Sequence, residues 1–378
     1  MEKVRLSRSI VGEEEAKALA RVILDDGYLG MGQEVQRFER ELAEFLGVPA
    51  QNVACGNSGT AALQLAVEAA LAPGDEVLVQ SLTFVASFQA IRAAGMVPVA
   101  CEALRDTVTI DLQDAATRLT SRTKAIMPVH YASNPAGLDA VYDFAGRHGL
   151  RVIEDAAHAF GCSHQGRKVG SFGDIQCFSF DGIKNITCGE GGAVVSADRA
   201  VMARVRDARL LGVERDTDQR FSGQRSWDFD VKRTGYRYHM SNLNAAIGRV
   251  QLRRFPGEFA PKRTQLARRY RQRLEGLPGL ALLSTDLGEV IPHLQPVRVL
   301  HGRRDALRAY LQAQGVETGI HYKPNHLLSL FRGDSPRLPV TEQLYEELLS
   351  LPLHPGLELA TIDRIADLIG DFAKQPKT

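Results

Sequence analysis

Over the first 250 or so positions, short apolar runs alternate with stretches in which apolar residues recur every three or four places. Glu76–Val79 (EVLV) follows the turn residues Pro73-Gly74-Asp75 and is predicted to be a strand. Lys124–Val129, Leu150–Ile153, Ile175–Ser179 and Ala193–Ser196 have the same character. Between them lie helical patterns. Thr60–Leu71 puts Leu63, Val67 and Ala70 on one face, and Leu138–His148 stops at Gly149. The strand candidates are apolar throughout rather than alternating, as strands are when helices cover both faces of their sheet. The expected fold class is α/β, with a mostly parallel central sheet flanked by helices.

Beyond residue 250 the pattern changes. A helix over Asn242–Arg254 meets Pro256-Gly257, and a strongly basic helix over Pro261–Glu275 follows. Strands are predicted at Leu294–Leu300 and Thr318–Tyr322, and helices at Arg304–Gln314 and Ala360–Lys374. This divides the chain into a large α/β domain, 1–254, and a smaller C-terminal α+β domain, 255–378. The arginines of Pro261–Glu275 read as a solvated face or a subunit interface, since acidic residues balance them elsewhere.

Composition narrows the functional classes. Across 378 residues, 46 Lys+Arg oppose 45 Asp+Glu, a net charge of +1. No excess of cations is available for a nucleic-acid partner. Five cysteines without a C-x-x-C pair point to free thiols in a reducing compartment. The first twenty residues mix both charge signs, and no apolar stretch is long enough to span a bilayer. The expectation is a cytoplasmic protein with no membrane partner.

Several chemistries lack their motifs. There is no G-x-x-x-x-G-K-[ST], no strand followed by G-x-G-x-x-G, no G-x-S-x-G and no H-E-x-x-H. His158 and His164 are close in sequence, but no carboxylate or thiolate joins them at a ligand spacing, so no metal is expected.

Four segments carry the chemistry jointly. Gly56-Asn57-Ser58-Gly59-Thr60 precedes a helix, whose free N–H groups, hydroxyls and close-approaching glycines form a cup for a phosphate. A capped helix start on Ser58 or Thr60 explains the same residues more plainly. Val152–His158 (VIEDAAH) ends a buried strand in carboxylates, where Asp155 is either a helix cap or the partner of a cation. Cys177–Asn185 (CFSFDGIKN) sets Lys184 between a buried strand and the glycine-rich Gly189–Gly192. A lysine desolvated there has a lowered pKa and condenses with aldehydes. Phe84, in Ser81-Leu82-Thr83-Phe84, offers a flat face at a strand end, or is simply a core residue.

A phosphate cup, a carboxylate, a tethered amine and a flat aromatic are what pyridoxal 5′-phosphate requires, and no other common cofactor fits all four. The phosphate would dock at the helix start and Ser179, the ring nitrogen would meet Asp155, and the aldehyde would meet Lys184.

These segments resemble the DegT/DnrJ/EryC1/StrS sugar aminotransferases, pyridoxal-phosphate enzymes of fold type I. The similarity runs from Tyr28–Gly32 and Phe38-Glu39 through the four segments to Gly235–Met240, Ala245–Gly248 and Ile320–Tyr322. It implies Lys184 as the catalytic lysine and Asp155 as the partner of the ring nitrogen. Gly59, Thr60 and Ser179 would hold the phosphate, with Phe84 and His158 on the two ring faces. His158 stands where many members carry Gln, and Arg237 where many carry Asn. The resemblance further implies a homodimer with shared active sites, in which Gly235–Met240 of the neighbouring chain closes the phosphate site.

The implied reaction moves an amino group from an amino acid, L-glutamate foremost, to a nucleotide-linked keto-sugar. His321, Tyr322 and His326 are candidates for the sugar side. Rival readings are a pyridoxamine-phosphate-dependent sugar dehydratase, whose branch replaces the lysine by His, another fold-type-I activity such as amino-shikimate-type synthesis or desulfuration, and a regulatory protein that binds the cofactor without turnover.

Overall fold

The buried runs assemble into one seven-stranded sheet. In the computed structural model, which describes residues 3–213, 221, 229–333 and 337–375, its strands are β1 (Val53–Gly56), β2 (Glu76–Gln80), β3 (Val97–Cys101), β4 (Thr123–Met127), β5 (Arg151–Asp155), β8 (Ile175–Ser179) and β9 (Gly192–Ser196). Their spatial order is β1-β9-β8-β5-β4-β2-β3. The pairs from β8 to β3 are all parallel, and β9 alone runs against both its neighbours. A two-stranded ribbon, β6 (Ser163–His164) with β7 (Arg167–Lys168), lies between β5 and β8 in sequence.

Helices cover both faces, which is why the strands tolerate no alternation. Val77 and Val79 of β2 pack into the cluster under α3 (Gly59–Ala70), α4 (Val85–Ala93) and α7 (Arg199–Ala208). The intervening Leu78 joins Val141 and Phe144 of α6 (Leu138–His148) on the other face. On that same side of β1, Val53 and Cys55 meet α2 (Gln33–Leu46) and α8 (Asn242–Arg254). The sequence pattern does not predict the helices α1 (Glu13–Arg21), α2, α4, the short α5 (Leu112–Thr117) and α7, nor the strands β1 and β3.

β1 is an edge strand, and its outer edge is closed by side chains. The Cys55 N–H donates to Glu39 Oε1 at 2.8 Å, while Arg209 Nη1 donates to both the Cys55 carbonyl and Glu39 Oε1 at 2.6 Å. Arg209 is fully buried. Replacing it by Ala would leave Glu39 buried without its cation, so Arg209→Ala is expected to cost about 3–5 kcal/mol in urea unfolding. A loss below about 1 kcal/mol would mean that the pair is not needed to close this edge.

The C-terminal part has its own sheet, β10 (Leu280–Leu282), β11 (Gln295–Val299) and β12 (Leu348–Leu351), antiparallel in that order. It packs with α9 (Ala260–Leu274), α10 (Arg304–Ala313) and α12 (Leu359–Lys374) around Leu266, Tyr270, Val297 and Ile365. A further helix, α11 (Pro339–Glu347), leads into β12. We propose the boundary at 254/255 between the two parts. Phe255 and Phe259, in the π-helical segment joining α8 to α9, still pack into the large-sheet core. Val4 crosses back to bridge Val316.

Two expectations change here. Thr318–Tyr322 is not a strand; only Gly319 pairs, with Ser350, and the His321 carbonyl is taken by the Tyr131 hydroxyl. The basic helix is not simply a solvated face. Arg263 is buried, Arg269 and Arg273 pair with Asp363 of α12, and Arg268 and Arg271 donate to the Leu287 and Thr285 carbonyls.

All five cysteines are free and buried. Among the described residues, no helix is long and apolar enough to cross a membrane, and no three His, Cys, Asp or Glu are grouped to hold a metal.

Candidate active site

The C-terminal ends of β5 and β8 lie side by side, with Asp155 opposite Cys177, so the end of β8 brings Ser179 to the same edge of the sheet. Alternation along β5 sends its two carboxylates to opposite faces. Glu154 turns toward α6, where His130 Nε2 (2.8 Å), Tyr142 Oη (2.6 Å) and Gln176 Nε2 (2.8 Å) surround it. Asp155 turns toward α4, where its Oδ2 accepts from the Ser87 hydroxyl at 2.7 Å and its Oδ1 from the Ala157 N–H at 3.1 Å. Asp155 does cap a local turn, but no helix follows it.

The helix-start cup forms at the end of β1. Ser58 is the N-cap of α3 and accepts from the Ala61 N–H at 3.1 Å, leaving the Gly59 and Thr60 amides without acceptors among the described residues. The plain and the functional readings of this segment therefore coexist. A Cβ on Gly59 would come within 2.6 Å of Ser179 Cβ, and one on Gly192 within 2.4 Å of the Ser58 carbonyl oxygen. Only backbone without side chains fits between α3, β8 and β9. Gly59 and Ser179 are buried, whereas Thr60 faces solvent.

Lys184 lies in the turn after β8, its N–H bonded to the Asp181 carbonyl at 3.1 Å. Burial lowers its pKa from 10.5 to about 8, against the opposing pull of the Asp155 and Asp181 carboxylates. The amine is charged below that value, so its nucleophilic fraction grows with pH through about 8. Labelling of Lys184 in the cofactor-free protein with trinitrobenzenesulfonate, followed by peptide mass spectrometry, should show a midpoint there. A midpoint near 10.5 would contradict the buried environment.

His158 is buried beside this lysine. Its Nε2 lies 3.2 Å from the Tyr322 hydroxyl, and its buried Nδ1 has no partner among the described residues. Burial holds its pKa well below 6.5, reinforced by Lys184, His321 and His130, so the ring is neutral and can present an uncharged face. Phe84 is 53% exposed and its ring lies 5.4 Å from that of Tyr322. His321 bonds Ser350 through Nδ1 at 2.8 Å, and burial and Lys184 push its pKa down to about 4.

Two sequence candidates sit differently. His326 is buried, with Nδ1 on the Ser81 hydroxyl (2.8 Å) and Nε2 facing Glu342 of α11 (3.5 Å), so one ring nitrogen holds the Ser81–Phe84 loop and the other is turned to the helix behind it. It is not brought to the lysine. Arg237 belongs to a segment docked on β1 of its own chain, where the Asn57 N–H donates to the Tyr238 carbonyl at 2.6 Å. Its guanidinium is exposed and has no ion-pair partner among the described residues.

Three neighbours were not legible beforehand. His293 packs on His158 at 4.6 Å between centroids. Ser133 donates to the His158 carbonyl and accepts from the His293 N–H. Ser87 reaches Asp155 from 68 residues away. None carries a local motif, because each acts through a contact between distant segments.

These residues meet the demands of pyridoxal phosphate. Free amides and a tight glycine cradle suit an anion, an uncharged imidazole with an unfilled buried nitrogen suits a ring face, and a desolvated amine opposite a carboxylate suits the aldehyde end. On this α/β scaffold they define a fold-type-I transferase dependent on that cofactor. The chain belongs to the DegT/DnrJ/EryC1/StrS aminotransferase family, whose pattern matches residues 10–370. It is 36% identical to a dTDP-4-dehydro-2,3,6-trideoxy-D-glucose 4-aminotransferase of Saccharopolyspora spinosa, over 96% of this chain and 95% of that one. Among solved structures it superposes on DesV of S. venezuelae with a TM-score of 0.89 and 34% identity, covering 100% of both chains. The aminotransferase TlmJ of Streptoalloteichus hindustanus gives 0.89 and 33%, covering 97% of this chain and 98% of that one.

Proposed function

We propose that the protein moves an amino group from an amino acid, L-glutamate foremost, to a nucleotide-linked keto-sugar. The observation that carries this reading is Lys184, an amine with a pKa near 8, set against the buried Asp155 carboxylate. The relative that acts on a dTDP-linked 4-keto sugar supports the substrate class.

Bound pyridoxal phosphate supplies an electron sink for the carbon that carries the transferred nitrogen. The chain's own residues would do the rest. The Gly59 and Thr60 amides, with the Ser179 hydroxyl, would hold the phosphate. Asp155 would keep a proton on the ring nitrogen, while Phe84 and His158 would cover the ring faces. Lys184 Nζ would hold the aldehyde carbon and, once displaced, carry a proton away from the donor's Cα and return it on the cofactor side. Tyr322, with its hydroxyl on His158 and its ring near Phe84, would border the sugar, with His321 behind it.

We further read the protein as a cytoplasmic homodimer in which Arg237 of a neighbouring copy closes the phosphate site; the exposed guanidinium, without an ion-pair partner among the described residues, supports this, because a bidentate donor is then available to an anion.

Addition of L-glutamate to the holoprotein is expected to convert the cofactor absorbance to that of the amine form and release 2-oxoglutarate. Nucleotide-linked 3-keto and 4-keto sugars should then restore the original spectrum. A spectrum unmoved by glutamate and by other amino acids would favour a regulatory binding protein instead. Retention of a lysine at position 184 argues against the dehydratase alternative.

A further inference from the structure

Asp155 is held by a short chain of hydroxyls that the proposed mechanism does not use. Ser87, in the first turn of α4, has no solvent exposure, and Thr83 has 2%. Ser87 Oγ lies 2.7 Å from Asp155 Oδ2, 3.0 Å from Thr83 Oγ1 and 3.4 Å from the Phe84 carbonyl. A hydroxyl has one proton to give. The carboxylate is both the nearest and the only charged acceptor, so the Ser87 proton goes to Asp155 and the Thr83 hydroxyl donates to Ser87 in turn. The two bonds point the same way and polarise one another in a dry environment.

The outer end of this chain is anchored from the C-terminal part of the protein. Asn325 Nδ2 donates to the Thr83 carbonyl at 2.9 Å and the Ser81 carbonyl at 3.1 Å, and the Asn325 N–H donates to the Ser81 carbonyl at 2.9 Å. His326 fixes the Ser81 hydroxyl. The buried 325–326 turn thus fixes the loop that carries Thr83.

We infer that Ser87 is a positioning residue for Asp155, backed by Thr83. It fixes the carboxylate rotamer and spreads the negative charge of Oδ2, so that a proton shared with a ring nitrogen stays on the nitrogen. The inference rests on the reading of Asp155 as the partner of that nitrogen. Without the Ser87 bond the carboxylate holds negative charge less well, and the shared proton moves toward oxygen.

The test uses holoprotein loaded with pyridoxal phosphate labelled with 15N in the ring. In Ser87→Ala, the ring-nitrogen resonance should move toward the unprotonated position, and kcat should fall by about 10- to 100-fold with KM for the amino acid changed less than about threefold. Thr83→Val should move the resonance in the same direction by a smaller amount, and Ser87→Thr, which keeps the hydroxyl, should restore it. A merely structural role would lower the melting temperature of the cofactor-free protein and leave the resonance in place; that result overturns the inference. If Ser87→Ala fails to fold, Thr83→Val decides by the same shift. Asp155→Asn separates the two levels. Should it leave the resonance unmoved, the reading of Asp155 itself fails. Should it move the resonance while Ser87→Ala and Thr83→Val do not, only the inference fails.

Discussion

Lys184→Ala should retain the fold and lose steady-state transamination by at least about four orders of magnitude. The first half of the expectation follows from where the side chain sits. Lys184 lies in a turn and its backbone bonds, from its N–H to the Asp181 carbonyl and from Arg263 to its own carbonyl, survive truncation. Removal of a buried amine even relieves the desolvation that brings its pKa down to about 8. The second half follows from the two tasks the amine performs. A positioned acid–base group contributes about 10²- to 10⁴-fold, and loss of the covalent nucleophile adds to that, though not additively. The measurement is turnover with glutamate and a keto-sugar acceptor, alongside circular dichroism and thermal melting. Borohydride treatment of the wild-type holoprotein should fix a pyridoxyl group on the peptide containing Lys184 and leave the variant unlabelled. Appreciable turnover by the variant would refute the assignment of the catalytic lysine.

Much of this site was readable because its parts are local. Gly56–Thr60, Glu154-Asp155 and Phe178–Lys184 each combine a strand end with residues whose chemistry is unusual for such a place. A parallel sheet delivers strand ends to one edge whatever the intervening sequence does. The arrangement around them was not readable. His293, Ser133 and Ser87 reach the site across 135, 25 and 68 positions of chain, and serine or histidine in those segments has no distinguishing pattern. His326 shows the converse. In sequence it is a polar residue close to His321 and Tyr322, yet the fold spends both its nitrogens on Ser81 and Glu342. At the fold level, Thr318–Tyr322 has the composition of a strand, but the partners of β11 are Leu280–Leu282 and Leu348–Leu351. A strand is settled by what pairs with it, which periodicity does not record.

Asp155→Asn should cost about 150- to 5,000-fold in kcat, and the reason is visible in its hydrogen bonds. Both carboxylate oxygens already accept a proton donor, Ser87 Oγ at one and the Ala157 N–H at the other. An amide in the same place must turn its NH2 group toward one of them. Facing Ala157 it meets a backbone N–H that cannot reverse. Facing Ser87 it forces that hydroxyl to stop donating and to accept instead, which disturbs the Thr83 contact behind it. Neither orientation offers a negative charge to a protonated ring nitrogen. Losing one partner of a buried charge pair costs about 3–5 kcal/mol, which is the stated range in rate. The loss should fall on kcat, because Asp155 lies on the cofactor side of the site and the proposed sugar-bordering residue is Tyr322. Cofactor retention after gel filtration should decline far less than turnover, since the Gly59, Thr60 and Ser179 cup and the Lys184 amine are untouched. An Asp155→Asn variant with wild-type kcat would show that the charge at this position does not assist the reaction, and that the buried carboxylate serves only to tie β5 to α4.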